Sequence, residues 1–360
     1  MRVLSLFDWM ACWYEALQRA WIPIDKYYAS EIDKYAIQIA TKNHPDIIEI
    51  WDVCKIKWED YQDIDLLIWG SPCQWFSVAG KMLNFNDPRS KLFFEYVRLL
   101  RQIQPKYFLL ENVKMKKEWQ DIISRELWVE PIEINSSLVS AQNRRRLYRT
   151  NIPSVSQPTD KGILLKDILE DNVDERYYLS DKWLKMLNRN FGSKGKALNF
   201  EPSMIEKITY PSRINQIEWW LDIKAPTLTA SMGTWWWNVP CLLEIRWGEL
   251  RVKQATKQWY IVANDGDGIS LAYPNSTTRR WRVIHWKSST LTTWSDAHVY
   301  TNSIIRKLTP IECERLQTLP DNYTEWVSDT QRYKMLGNWW TVDVIAHIFR
   351  SIQQWWHTEN

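Results

Sequence analysis

The sequence predicts an α/β protein built on a Rossmann-like, mostly parallel sheet, joined to a smaller and more irregular domain. Three observations carry this expectation. Short apolar runs alternate with amphipathic stretches through residue 153, several of those runs end on chemically active side chains, and the periodicity weakens from about residue 154 to 300.

In chain order, residues 3–7 read as a strand, 12–20 as a helix, 27–30 as a second strand and 33–43 as a second helix, the alternation of βαβ units. Residues 65–68 form a further buried strand that leads directly into Pro72, Cys73 and Gln74. In open parallel sheets the ligand crevice lies outside the carboxyl ends of the strands, so this thiol stands where a nucleophile is displayed. A small buried hydrophobe is the bland alternative for any free cysteine. Leu92, Tyr96, Leu99, Leu100 and Ile103 give helical spacing over 91–104, and Pro105 stops that helix. The run YFLLENV at 107–113 ends on Glu111 and Asn112, and a third apolar stretch is followed by QNRRRLY at 142–148. Thiol, carboxylate and guanidinium thus all project from strand ends. Beyond Pro153 the segments KAPTLTASMGT at 224–234 and KSSTLTTWSDA at 287–297 are related, but two copies exclude a solenoid. Helix returns at 309–316, where Pro310 occupies the first turn, and at 342–350, an amphipathic stretch expected to pack against the N-terminal sheet.

Together these segments resemble the DNA (cytosine-5) methyltransferase family, whose ordered motifs include a PCQ nucleophile loop, an ENV carboxylate and a Q-x-R-x-R segment. The resemblance runs from about Ser5 to Phe349. SLFDWMACWYEAL, YASEIDKYA and WDVCKI are similar to the family's cofactor half, and RKLTPIECERLQTLP and MLGNWWTVDVIAHIF to its closing motifs. Eight blocks in the right order make the match specific. The resemblance implies an S-adenosylmethionine-dependent catalytic domain over 1–153, a target-recognition domain over 154–300 and a segment over 301–360 that returns to the catalytic domain. It implies methyl transfer to C5 of a cytosine flipped out of double-stranded DNA, through a covalent adduct between Cys73 and C6. A related branch acting on transfer RNA and a catalytically impaired DNA-binding homologue are the alternatives, and the long middle region favours DNA.

The chemistry accounts for the residue types. Cytosine C5 is a poor nucleophile, and adding a thiolate at C6 makes the ring electron-rich, which assigns the attack to Cys73. Charge that develops at N3 calls for a carboxyl kept protonated by partial burial, the role of Glu111. By the family's pattern Arg144 and Arg146 hold O2 and lower the thiol pKa, with Gln142 as their spacing partner. A solvated basic strip is the bland reading of 144–146. Gln74 and Ser77 are the expected base or backbone contacts, and residues 77–86 form a lid over the extruded base.

On the cofactor edge, an acidic residue at the end of the second strand binds ribose hydroxyls in dinucleotide folds, and Glu31 holds that place. A helix-start carboxylate is its plain alternative. Asp52 is placed to face the adenine amino group beside Val53. Phe7, Asp8, Met10, Ile32, Pro72 and Asn338 line the pocket by resemblance.

Glycine is where the sequence departs from this pattern. The chain has 25 Trp and 10 Gly, whereas a typical ~7% usage gives about 25 Gly at this length. Trp9, Trp13, Trp21, Trp51, Trp58, Trp69, Trp75, Trp128, Trp235, Trp236, Trp237 and Trp339 stand where the family pattern or turn chemistry suggests glycine. A left-handed non-glycine residue costs roughly 1–2 kcal/mol and overpacking about 1–3 kcal/mol, so a dozen such sites outweigh a typical stability of about 5–15 kcal/mol. The expectation is that many of these residues are glycine in the working protein, a reassigned stop codon having been rendered as Trp. Arg149 is read as a mirror case, because the family often has an aromatic residue there. Trp119, Trp183 and Trp340 lie in ordinary packing contexts. A base-stacking surface is the rival reading.

Composition sets the outer bounds. At 360 residues the chain is long enough for two domains, with 45% hydrophobic residues. The net charge is only +3, so the basic surface that a DNA partner needs must be local, at 143–149 and 277–282. Cysteines 12, 54, 73, 241 and 313 are odd in number and widely spaced, which argues against a disulfide framework or a metal site. No run reaches the ~18 apolar residues of a membrane span, and Asp8 and Glu15 interrupt any signal-peptide stretch. The expectation is a cytoplasmic, monomeric protein, prokaryotic or phage-encoded, of the restriction-modification kind.

Overall fold

The computed structural model describes residues 1–70, 90–177, 243–246, 249–253, 260–270, 282–291, 297–301 and 304–359. The chain divides into two compact units, one of residues 1–163, 292–294 and 313–360, the other of residues 164–291 and 295–312.

The first unit is a seven-stranded sheet. Its strands are β1 (Arg2–Leu6), β2 (Lys26–Ser30), β3 (Ile48–Glu49), β4 (Leu66–Gly70), β5 (Tyr107–Asn112), β6 (Ile132–Asn135) and β7 (Arg145–Thr150), in the order β3-β2-β1-β4-β5-β7-β6. The five strands from β3 to β5 are parallel, and β7 runs antiparallel to both of its neighbours. Every residue of β4 and β5 is buried, as expected of central strands covered on both faces, and this is why they read as continuous apolar runs.

Helices α1 (Cys12–Arg19), α2 (Lys34–Asn43), α3 (Ser90–Ile103) and α4 (Lys117–Leu127) alternate with these strands. Asp33 is the N-cap of α2 and not its first residue, because its carboxylate accepts from Tyr35 N at 2.9 Å. The buried residues Leu4, Leu6, Leu67, Leu110, Phe93, Tyr96 and Leu99 form one core between the sheet and α3. From residue 310 the chain adds α5 (Pro310–Leu316), then α6 (Asp329–Asn338) and α7 (Val342–Glu359). Phe349 of α7 meets Trp13 of α1, and Asp343 pairs with Arg19 at 2.8 Å, so the C-terminal helix covers the first βα unit as the amphipathic pattern predicts.

Three expectations need adjusting. The strand at 65–68 extends to Gly70, because Trp69 and Gly70 continue the ladder opposite Leu110 and Glu111. Glu111 is the last residue but one of β5, as the run at 107–113 predicts. The arginine segment opens β7 where it was expected to follow a strand, and because β7 is reversed this still brings it beside the carboxyl end of β5. The strip at 143–149 is no solvated basic face, since Arg144 and Arg149 are buried. Arg149 Nε donates to Ser124 Oγ and Nη2 to Gln120 O, and burial lowers its pKa to about 10.

In the second unit, β8 (Leu243–Arg246), β9 (Glu249–Lys253) and β10 (Tyr260–Ala263) form an antiparallel meander. β11 (Asp267–Ser270), β12 (Val283–Ile284), β13 (Ala297–Thr301) and β14 (Ile304–Lys307) form a second antiparallel sheet in the order β12-β11-β13-β14. A buried Arg306–Glu312 pair with two short hydrogen bonds, of 2.6 and 2.7 Å, ties β14 to the start of α5. Arg282, at the end of the second expected basic patch, is buried as well. No helix among the described residues is long and apolar enough to cross a membrane.

Candidate active site

Parallel pairing aligns the carboxyl ends of β4 and β5, so Gly70 stands directly beside Glu111. The reversed β7 places Tyr148 opposite Glu111 on the other side. From the start of β7, Arg146 reaches back along the same face, and its Nε lies 3.0 Å from Glu111 Oε1 with both side chains almost wholly buried. Burial pushes the Glu111 carboxyl above its ordinary range, and the guanidiniums of Arg146 and Arg144 offset this only in part. Arg144 is buried and donates from Nη2 to Gly337 O at 3.3 Å. Gln142 is fully buried, and neither its amide oxygen nor its amide nitrogen has a hydrogen-bond partner among the described residues. Asn112 Oδ1 and Tyr148 Oη are in the same condition. Buried polar groups are nearly always paired, so these atoms stand out among the described residues.

Gly70 itself is required by close approach. A Cβ there would lie 2.1 Å from the Trp340 ring, which presses on the chain just before it leaves β4. Pro72, Cys73, Gln74, Ser77 and the expected lid at 77–86 lie outside the described residues.

A second cluster forms at the carboxyl ends of β1 and β2. Glu31 follows β2, its Oε1 accepting from Ile32 N and Asp33 N and its Oε2 from Trp9 N at 3.0 Å. Burial raises its pKa. Phe7 and Trp9 both adopt left-handed backbone in the loop after β1, and Met10 is buried beneath it. Asp8 is wholly buried. Its Oδ1 accepts from Tyr27 Oη, its Oδ2 has no partner among the described residues, and burial lifts its pKa to about 7. Ile32 is 74% exposed beside Glu31, an apolar surface suited to a nucleoside base. Asp52 caps a short 3-10 turn by accepting from Cys54 N at 3.0 Å, and Val53 behind it is buried. Asn338 ends α6, whose last turn faces both clusters: Met335 O accepts from Trp9 Nε1 at 3.3 Å, and Gly337 O accepts from Arg144.

Sequence reasoning missed four participants. Tyr27, Tyr148 and Gly70 were not singled out in the sequence. Glu49, at the end of β3, carries two buried oxygens with no partner among the described residues, and burial, with Asp8 and Glu31 adding to it, pushes its pKa to about 8. Arg315 pairs with Asp321, while buried Gln317 donates to the Leu336 and Trp339 carbonyls and fixes the turn after α6.

A family model described as C-5 cytosine-specific DNA methylase matches residues 1–122 and 136–354. The chain is 26% identical to the orphan methyltransferase M.SPRI of Bacillus phage SPR, over 98% of this chain and 97% of the relative. It is 29% identical to the type II methyltransferase M.BanI of Aneurinibacillus aneurinilyticus, over 91% of this chain and 88% of the relative. The solved S. pombe Dnmt2 methyltransferase superposes with a TM-score of 0.58 at 16% identity, covering 100% of this chain and 99% of that one. At that identity the likeness speaks for the fold, a Rossmann-like methyltransferase sheet.

Proposed function

We propose that this chain, which belongs to the C-5 cytosine-specific DNA methylase family, methylates C5 of a cytosine rotated out of double-stranded DNA, with Cys73 adding to C6 of the ring. The observation that carries this reading is the buried Glu111–Arg146 couple at the carboxyl end of β5. Cys73 follows Gly70 by three residues in the sequence, and Gly70 stands beside Glu111. Attack by the thiolate moves electron density through the ring toward C5 and N3. Glu111, its pKa raised by burial, supplies the proton or hydrogen bond at N3, and Arg146 steadies the developing charge. After methylation a base, for which water suffices, takes the C5 proton, the C–H electron pair re-forms the C5–C6 double bond, and the C6–S bond breaks to release the Cys73 thiolate.

S-adenosylmethionine, when bound, supplies the methyl group as an electrophile. The second cluster suits it: Glu31 can accept from ribose hydroxyls, exposed Ile32 offers a face to the base, and Asp8 retains a buried oxygen without a partner among the described residues. Phe7, Met10, Asp52, Val53, Pro72 and Asn338 complete the assignment by family pattern. Gln142, Gln74 and Ser77 are assigned to the base and its flanking backbone.

A duplex containing 5-fluorocytosine has no C5 proton to lose, so a working enzyme stays bonded to it. Protein made in the cells that encode it should form a denaturation-resistant adduct with this duplex when S-adenosylmethionine is added, and the Cys73→Ala variant should bind DNA without forming one. Methyl transfer by Cys73→Ala would remove the basis for the assignment.

A further inference from the structure

We infer that the active polypeptide carries glycine where this sequence has Trp9, Trp21, Trp51, Trp128 and Trp286, and that relieving position 9 opens the cofactor loop. Eleven non-glycine residues among those described have left-handed backbone, and these five are tryptophan, with φ between 56° and 62°. A bulky side chain with positive φ is a genuine outlier, and glycine is the residue that adopts this geometry without a Cβ conflict. Only Gly162 and Gly266 among the described glycines do so.

Each of the five occupies a position with a glycine function. Trp21 follows α1, with Trp21 N donating to Gln18 O at 2.9 Å and Ile22 N to Leu17 O at 3.1 Å, the paired bonds of a helix end that closes on left-handed glycine. Trp128 ends α4 at φ 60° and ψ 25°. Trp51 turns the chain between β3 and Asp52, its carbonyl accepting from Ser30 Oγ at 2.7 Å. Trp286 turns the chain after β12, its N–H donating to Asp267 Oδ1 at 2.9 Å. Burial does not offset the strain at these four, since Trp21 is 82%, Trp51 59%, Trp128 88% and Trp286 54% exposed. Trp286 had no sequence signal at all. Its backbone alone assigns it.

Trp9 is the case with a functional consequence. Its backbone N–H is fixed by Glu31, its indole N–H reaches Met335 O, and Lys334 Nζ lies 5.7 Å from its ring centroid. The indole therefore fills the gap between Glu31 and α6, the space that the proposed function gives to the cofactor. This consequence rests on that reading, whereas the residue assignment does not.

Crowding independently extends the exchange to positions 13 and 339. The Trp339 and Trp340 ring centroids are 3.6 Å apart and those of Trp13 and Trp340 4.1 Å, closer than the usual 4.5–7 Å of aromatic pairs. All three indole N–H groups are buried with no partner among the described residues. One ring, Trp340, suffices to fill that space against Gly70.

Peptide mass mapping of protein isolated from its source should read glycine at 9, 13, 21, 51, 128, 286 and 339, with tryptophan kept at 340. Tryptophan at 9, 21 and 128 would overturn the assignment. In recombinant protein, the combined Trp21→Gly, Trp51→Gly, Trp128→Gly and Trp286→Gly variant should melt at a higher temperature than the chain as written, and an equal or lower melting point counts against the assignment. Adding Trp9→Gly should tighten S-adenosylhomocysteine binding by about tenfold or more in calorimetry. A stabilised protein with no gain in binding would leave the residue assignment standing and remove the cofactor reading.

Discussion

At the scale of single residues, Glu111 shows two effects in competition. A guanidinium 3.0 Å away ordinarily depresses a carboxyl pKa, yet the removal of water around Glu111 outweighs both arginines and the net displacement is upward. An acid with a raised pKa keeps its proton to higher pH, so activity that needs the protonated form is lost as pH rises through the folded value. Glu111→Gln retains the shape and removes the titration. Single-turnover methyl transfer by this variant should fall by about a hundredfold or more, with DNA binding nearly unchanged and the alkaline limb of the rate profile flattened. A loss below about threefold would mean that Glu111 only anchors Arg146.

At the scale of elements, α2 depends on one side chain at its start. Asp33 accepts from Tyr35 N and Ala36 N and also pairs with Lys334 at 3.1 Å. Burial works to raise its pKa, yet the bond to Lys334 and, after it, the backbone bonds from Tyr35 and Ala36 together hold it below the ordinary carboxylate value. Asp33→Ala should cost about 1 kcal/mol in urea unfolding, and because the same residue positions the chain after Glu31, cofactor affinity should weaken with it. Elements of this kind were legible in the sequence because local rules fix them. Alternating apolar runs located β1, β2, β4 and β5, and Pro105 and Asp33 marked helix boundaries within a residue or two. The reversal of β7 was not legible, since an arginine-led strand reads the same in either direction, and neither was the burial of Arg144, which depends on the Gly337 carbonyl almost two hundred positions away. The motif residues Glu111 and Arg146 could be named from spacing, but their ion pair arises from register between two strands. Tyr148 and Glu49 escaped notice because their roles come only from what lies opposite them.

At the scale of the whole chain, segments far apart in sequence are held together by a carboxylate. Asp343, at the first turn of α7, accepts from Arg19 Nη1 at 2.8 Å and from Lys161 Nζ at 2.6 Å, joining α7 to α1 and to the segment after β7. Burial opposes its ionisation, yet the bonds to Lys161 and Arg19 prevail and hold its pKa below the ordinary carboxylate value of 3.8. A depressed carboxylate stabilises the fold above its unfolded pKa, and the contribution disappears as pH falls through the folded one. Asp8 has the opposite sign: its pKa is raised from 3.8 to about 7, so the fold is favoured while Asp8 is protonated and loses that advantage as pH climbs toward 7. Partial exposure of Arg19 and Lys161 limits the Asp343 network to about 1 kcal/mol. Asp343→Asn should therefore lower the urea midpoint at neutral pH, and the gap to the parent should narrow as pH falls below 3.8 and close only below the depressed folded pKa, where both proteins carry a neutral group at this position. Asp8→Asn should instead exceed the parent at neutral pH without cofactor, and differ least under acid. Urea midpoints measured on the three proteins across this range decide the matter. A gap for Asp343→Asn that stays constant with pH would mean that shape, and not charge, joins the C-terminal helix to the sheet.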